Sequence, residues 1–307
     1  MSNPQNNFTV TMLGTASAMP VVNRNQSAQA LQVHGRLFLV DAGEGVQSQM
    51  VRFHVSMAKI EAVFISHVHG DHIFGLPGLL STFGMGGRTA PLHIYGPGNL
   101  RPHLKFFLSY NEWLPFEIAF HQVNTRFPEV IMETKSLEVT AFPLLHGIET
   151  YGYIFREKEP MWNVRKESIG QYGLSLTEIG TLKRGEDVVR EDGTVIPLAE
   201  AAYKPYAPRS YAYVSDTAVF PGETEVLQGV TALYHEATFL AEHEEKAASR
   251  YHSTTHQAAV VARDAGVSKL IIGHYSSRNT DQALYEAECR EVFPESYAAA
   301  DGDVFEI

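Results

Sequence analysis

Apolar residues come in short runs bounded by turn formers, and a histidine or aspartate closes run after run. Phe8 to Leu13 alternates apolar with polar positions, the period of a half-buried strand. It gives way to Gly14-Thr15-Ala16-Ser17-Ala18-Met19-Pro20, a loop of small residues able to bring backbone close to a ligand. Ala28 to Val33 and Leu37 to Val40 predict two strands around a turn at Gly35, the second running through Asp41-Ala42-Gly43-Glu44-Gly45 into a helix near Val46. Ala62 to Ile65 reads as a buried strand, and Phe74 to Leu80 as the start of a helix with Pro77 in its first turn. Further strands are predicted over Leu92 to Pro97, Phe116 to Val123, Leu137 to Leu144, Ser210 to Val214, Thr231 to Tyr234 and Lys269 to Ser276. Helices are predicted over Arg101 to Tyr110 and Thr254 to Ala265. Open α/β sheets place their ligands outside the carboxyl ends of the strands.

Residues 156–205 break the pattern. Arg156, Lys158, Arg165, Lys166, Lys183 and Arg184 lie among Gly, Tyr and Trp with little strand periodicity, which predicts an excursion from the sheet, a helical hairpin or a flexible arm. Positive charge beside Trp162 and Tyr172 suits an RNA backbone and its bases. Glu157, Glu159, Glu167, Glu178, Glu186 and Asp187 bring the net charge of the stretch near zero, so a solvated insert fits as well. The expected organisation is one domain over 1–307 with this arm-like insertion.

The chemistry gathers where runs end. Ser66-His67-Val68-His69-Gly70-Asp71-His72 follows the strand at Ala62 to Ile65. Imidazole and carboxylate are the ligands of borderline and hard divalent metals, zinc first among them, and the spacing lets one turn feed two metals. His146 and His274 stand at the ends of other strands, and Asp216 follows Ser210 to Val214 as a carboxylate able to bind two cations. His235-Glu236 closes Thr231 to Tyr234, where an imidazole beside a carboxylate suits proton transfer; a metal ligand or a buried structural pair is the other reading. Asp41 can orient a metal-bound histidine or cap the following helix.

Composition narrows the field. The 307 residues carry a net charge of -11, so a polyanion must meet a confined basic patch, and DNA binding is not expected. The single cysteine, Cys289, rules out an intrachain disulfide, and a cytoplasmic setting is the simplest expectation. The start, Met-Ser-Asn-Pro-Gln-Asn-Asn, lacks the basic and apolar parts of a signal peptide, and no apolar run approaches the ~20 residues of a membrane span. A soluble, unexported protein is expected.

Together these stretches resemble the ribonuclease Z family of the metallo-β-lactamase superfamily, over nearly the whole chain. The likeness rests on Gly14 to Pro20 with Arg24-Asn25, Asp41 to Gln47, the His67 to His72 cluster with Gly75-Leu76-Pro77-Gly78, His146, Asp216, His235-Glu236-Ala237-Thr238-Phe239, and His274-Tyr275-Ser276-Ser277-Arg278. The resemblance implies an α/β fold of four layers, two sheets face to face with helices outside. It implies two zinc ions, with manganese or iron as other occupants: one on His67, His69, His146 and Asp216, the other on Asp71, His72, Asp216 and His274. It implies a zinc-dependent endoribonuclease that removes the 3′ trailer of precursor tRNA, Asp71 acting as base and His235, oriented by Glu236, as acid. Arg24, Lys183, Arg184 and Arg278 are the substrate-binding candidates, and a homodimer is expected. The arm departs from the family pattern, having no proline between Met161 and Glu186. That leaves a second reading, a dizinc phosphodiesterase or esterase acting on a small ester such as a cyclic nucleotide. A non-catalytic scaffold is the third, and it is weak because every ligand position is filled.

Overall fold

The structure, a computed structural model, describes residues 7–109 and 114–307. Tyr110, the predicted last residue of a helix that here spans Leu100–Ser109, and the N-terminal residues before Asn7 lie outside them. The chain forms two compact units.

The larger unit comprises Met1–Glu133, Glu138–Phe155 and Ser210–Ile307 and is built on two seven-stranded mixed sheets. In spatial order the first sheet runs Val304–Glu306, Phe8–Gly14, Ala28–Val33, Arg36–Val40, Ile60–Phe64, Leu92–Pro97 and Ile118–Val123. The second runs Ser296–Ala298, Lys269–Gly273, Ala232–Glu236, Ser210–Val214, Tyr151–Glu157, Leu137–Pro143 and Glu129–Glu133. Aromatic rings fill the space between the sheets: Phe64 lies 5.4 Å from Tyr153 and 5.1 Å from Phe155, and Tyr213 stacks on Tyr234 at 5.1 Å. Two phenols carry hydrogen bonds across, Tyr211 to Gln29 Oε1 and, at 2.6 Å, Tyr213 to Asp41. The outer faces are aliphatic. Val63, Ile94 and Leu39 pack with Met50, Leu79 and Phe83 of the helices Val46–Arg52 and Leu76–Met85. Leu233, Leu270 and Ile272 pack with Ala258, Ala262, Tyr285 and Cys289 of Thr255–Asp264 and Gln282–Val292. Helix, sheet, sheet and helix make the four layers expected.

Parallel pairing sets the site. Ser210–Val214, Ala232–Glu236 and Lys269–Gly273 pair in parallel, so their carboxyl ends share one edge of the second sheet. In the first sheet Ile60–Phe64 ends beside the loop carrying Asp41. Gly43 and Gly75 let these loops close: a Cβ on Gly43 would stand 2.5 Å from the Asp71 carbonyl oxygen, and one on Gly75 would strike the Gly43 carbonyl.

The smaller unit, Thr134–Leu137 and Arg156–Arg209, has its own core of Leu174, Leu182, Val188, Ile196, Ala201 and Ala202. Its helix Leu176–Lys183 opens on a Ser175–Glu178 capping box. Two short ladders, Asn163–Val164 with Ala202–Tyr203 and Val188–Val189 with Val195–Ile196, complete it.

Candidate metal centre and active site

Beside a three-residue group of Glu236, His252 and His274, turns leaving both sheets converge on two four-residue groups of potential ligands, His67, His69, His146 with Asp216, and Asp71, His72, His274 with Asp216. Asp216 divides itself between them. Its Oδ2 faces His67 Nε2 at 3.7 Å and His146 Nε2 at 4.0 Å, while Oδ1 faces His72 Nε2 at 3.4 Å and His274 Nε2 at 3.2 Å. The His69 Nδ1 atom lies 3.0 Å from His67 Nε2 and 3.3 Å from His146 Nε2, and Asp71 Oδ2 lies 3.5 Å from His72 and 3.3 Å from His274. Bonds of ~2.0–2.1 Å to a tetrahedral cation put neighbouring ligand atoms about 3.3–3.4 Å apart, which is this spacing. His72 Nε2 and Asp216 Oδ1 are moreover buried polar atoms without a hydrogen-bond partner, an expensive arrangement unless a cation joins them. The residues fit a pair of divalent cations.

Behind the ligands, the far ring nitrogens are held by oxygen. His72 Nδ1 meets Asp41 Oδ2 at 2.7 Å, His67 Nδ1 meets Ser66 Oγ at 3.0 Å, His146 Nδ1 meets the Tyr251 carbonyl at 3.0 Å, and His274 Nδ1 meets Thr238 Oγ1 at 2.8 Å. Such contacts fix each ring's tautomer and aim the other nitrogen at the metal. Asp41 also accepts from the Ser66 amide at 2.7 Å and the Ser66 hydroxyl at 2.8 Å. Of its two sequence readings, the one that orients a histidine is the one the geometry supports.

Electrostatics agree. Burial, then the like-charged neighbours His72 and His146, hold His67 and His69 below the ordinary imidazole value, and burial does the same for His146. Burial raises Asp216 and Asp71, but facing imidazoles, His274 for the first and His72 for both, outweigh it and keep both carboxyls below their usual range. Burial also lowers His72, yet Asp216, Asp71 and Asp41 together hold it well above the ordinary value. Three imidazoles kept neutral beside two ionised carboxylates suit a cation, and His72, the one imidazole raised, gives up its proton on binding one.

The predicted acid is elsewhere. The strand expected over Thr231 to Tyr234 extends to Glu236, and side chains alternate along it. Glu236 therefore faces His252 and His274, and His235 faces the opposite layer, fully buried, with Nε2 3.0 Å from Glu223 Oε1 and Nδ1 2.6 Å from the Glu236 carbonyl. Neither nitrogen reaches the site. Glu236 instead holds His252, whose Nδ1 lies 2.8 Å from Oε1. The same carboxylate accepts from the Thr238 amide at 2.8 Å, the Thr238 hydroxyl at 2.7 Å and the Ser253 amide at 3.0 Å. Burial lowers His252, but the Glu236 carboxylate outweighs it and pushes the imidazole up to about 9. Sequence reasoning passed over His252 because it closes no strand; its one signal is its place just before the N-cap of the helix Thr255–Asp264.

His69, Asp71, His146, Asp216, His252, His274 and Arg278 line one cavity of about 560 Å³. Arg24 is tied down, donating to the carbonyls of Asn279 at 3.4 Å and Thr280 at 2.6 Å, with its guanidinium 5.0 Å from the Tyr275 ring. Lys183 and Arg184 belong to the smaller unit, Arg184 pairing with Glu186.

A ribonuclease Z of Parabacteroides distasonis is 38% identical to this chain over 296 residues, covering 96% of it and 97% of the relative. That of Cytophaga hutchinsonii is 40% identical over 300 residues, 97% of this chain and 96% of the relative. The chain belongs to the ribonuclease Z family. Among solved structures, human tRNase Z, short form, superposes with a TM-score of 0.70 at 25% identity, covering 97% of this chain and 98% of its own. The family model described as Anti-Pycsar protein Apyc1 matches residues 8–158. The metallo-β-lactamase fold expected from the sequence is thus the observed one.

Proposed function

We propose that this member of the ribonuclease Z family is a dizinc endoribonuclease that removes the 3′ trailer from precursor tRNA, acting in the cytoplasm as a homodimer. The observation that supports it best is the shared Asp216 between two ligand groups, with His252, held from behind by Glu236, lining the same cavity. His67, His69, His146 and Asp216 would hold one cation, and Asp71, His72, Asp216 and His274 the other; manganese or iron takes the same ligand types. When bound, such cations supply the positive charge that acidifies water and offsets charge on a phosphodiester.

The chain's own groups do the rest. Asp71, kept ionised, accepts the proton of the attacking water and orients it at phosphorus. His252, protonated at neutral pH and held through Nδ1 by Glu236, has Nε2 with which to protonate the departing 3′ oxygen. The water oxygen stays on the trailer as a 5′-phosphate and the tRNA leaves with a 3′-hydroxyl. Glu236, already saturated by five donors, acts as the anchor of His252.

The second reading, a small phosphodiester such as a cyclic nucleotide, draws on the cavity of about 560 Å³, which is large enough for a mononucleotide. Cleavage of a trailer-bearing precursor tRNA by zinc-loaded protein, run beside bis-p-nitrophenyl phosphate, decides between them. Cutting of the tRNA near the discriminator base is expected. Turnover of the ester alone would move the protein to the second reading, and undiminished turnover in His67→Ala would overturn the metal assignment itself.

A further inference from the structure

A protein with net charge -11 must meet a polyanion at a confined basic patch, and one lies on the wall of the metal cavity. Lys246, on the helix Glu244–Ser249, and Arg250, the residue after it, come from one segment; Arg278 comes from the loop beyond His274. All three line the cavity, where among the described residues the acidic ones are Asp71 and Asp216, both members of the candidate metal groups. Among the described residues none of the three cations makes an ion pair. They are close enough to feel one another: Lys246 is lowered first by partial burial and then by the charges of Arg278 and Arg250. Lys246 also rests over the Phe239 ring, its Nζ 5.5 Å from the centroid. Like charges gathered without counter-charge beside a reaction site cost stability, which an anionic ligand recovers.

The geometry points to Lys246, Arg250 and Arg278 as a clamp for a second phosphate of the polynucleotide strand, the neighbour of the one being cut. This rests on the RNA reading above. The phosphate at the centre is served by the metal groups; the clamp would take one that only a substrate with at least two phosphodiesters carries. Lys246 and Arg250 would then be specificity determinants, favouring a strand over a mononucleotide by substrate affinity.

The test uses zinc-loaded protein and three substrates: bis-p-nitrophenyl phosphate with one phosphate, a ribotrinucleotide with two phosphodiesters, and the trailer-bearing precursor tRNA. Lys246→Ala/Arg250→Ala should raise KM for the two RNA substrates at least tenfold more than for the ester, with kcat on RNA moving far less than KM. Lys246→Arg should recover most of the loss. The slope of log(kcat/KM) for RNA against log salt should become shallower by about 0.7 for each phosphate contact removed. Equal losses on all three substrates, or an unchanged KM for RNA, would overturn the clamp. If wild type leaves tRNA uncut while the trinucleotide shows the KM effect, the tRNA reading fails and the clamp stands. If tRNA is cut and the variant matches wild type, the reverse holds.

Discussion

Asp41→Asn tests whether the metal groups depend on what lies behind them. Asp41 is fully buried and accepts four hydrogen bonds: Oδ1 takes the Ser66 amide, and Oδ2 takes the Ser66 hydroxyl, His72 Nδ1 and the Tyr213 phenol. Its backbone is left-handed, φ 56°, a conformation asparagine adopts at least as readily, so the substitution leaves the turn alone. The amide must choose. If its oxygen stays at the Oδ2 position, its NH2 faces the Ser66 amide, donor against donor. If it flips, the NH2 faces three donors, and His72 must move its proton to Nε2, the nitrogen meant for the metal. The cheaper arrangement strands two buried donors at about 1–3 kcal/mol each, so unfolding free energy should fall by about 2–6 kcal/mol. Losing the carboxylate behind His72 should weaken zinc binding about 10–100-fold, or about 1.4–2.7 kcal/mol. Urea unfolding of the metal-free protein reads the first quantity, and competition with a chromophoric chelator reads the second. A zinc Kd within twofold of wild type in a folded Asp41→Asn protein would refute the argument.

His252→Asn should lower kcat on precursor tRNA 100-fold or more while costing bis-p-nitrophenyl phosphate much less, because nitrophenolate departs without a proton; equal losses would remove His252 as the acid. In metal-free protein, the raised His252 value predicts stability that is fully present below about 6.5 and disappears as pH rises through about 9. The amplitude is on the order of 3 kcal/mol, and thermal unfolding across pH 6 to 10 should show that slope in wild type and lack it in His252→Asn. Returning zinc to chelator-treated protein at a hundredfold its Kd should add about 2.7 kcal/mol of stability, seen as a raised Tm that His67→Ala fails to show.

Much of the centre was legible because each ligand follows an apolar run. Asp216 and His274 close parallel strands, the His67 to His72 cluster leaves another, and a reader of periodicity is sent to those ends. The same habit misplaced His235. Thr231 to Tyr234 looks like a complete strand, but pairing carries it through His235 and Glu236, and once both lie in a strand they must face opposite ways. The place of His252 just before a helix is too general a sign, and what singles it out is a contact with Glu236, 16 residues away. The smaller unit was hard to read for a different reason: its ladders are two residues deep, too short for any alternation to register.

The positions of the ligands along the chain also set an order in time. His67, His69, Asp71 and His72 leave the ribosome early, whereas His274 follows Asp71 by 203 residues. At about 5–20 residues per second, that is an interval of roughly 10–40 s in which three imidazoles and a carboxylate exist without the histidine that closes the second group, and for most of it without the Asp216 carboxylate that joins the two. A nascent chain can hold a metal only loosely. On the proposed metal assignment, firm loading would await the docking of the last strands of the second sheet, so that holding metal would report a finished molecule.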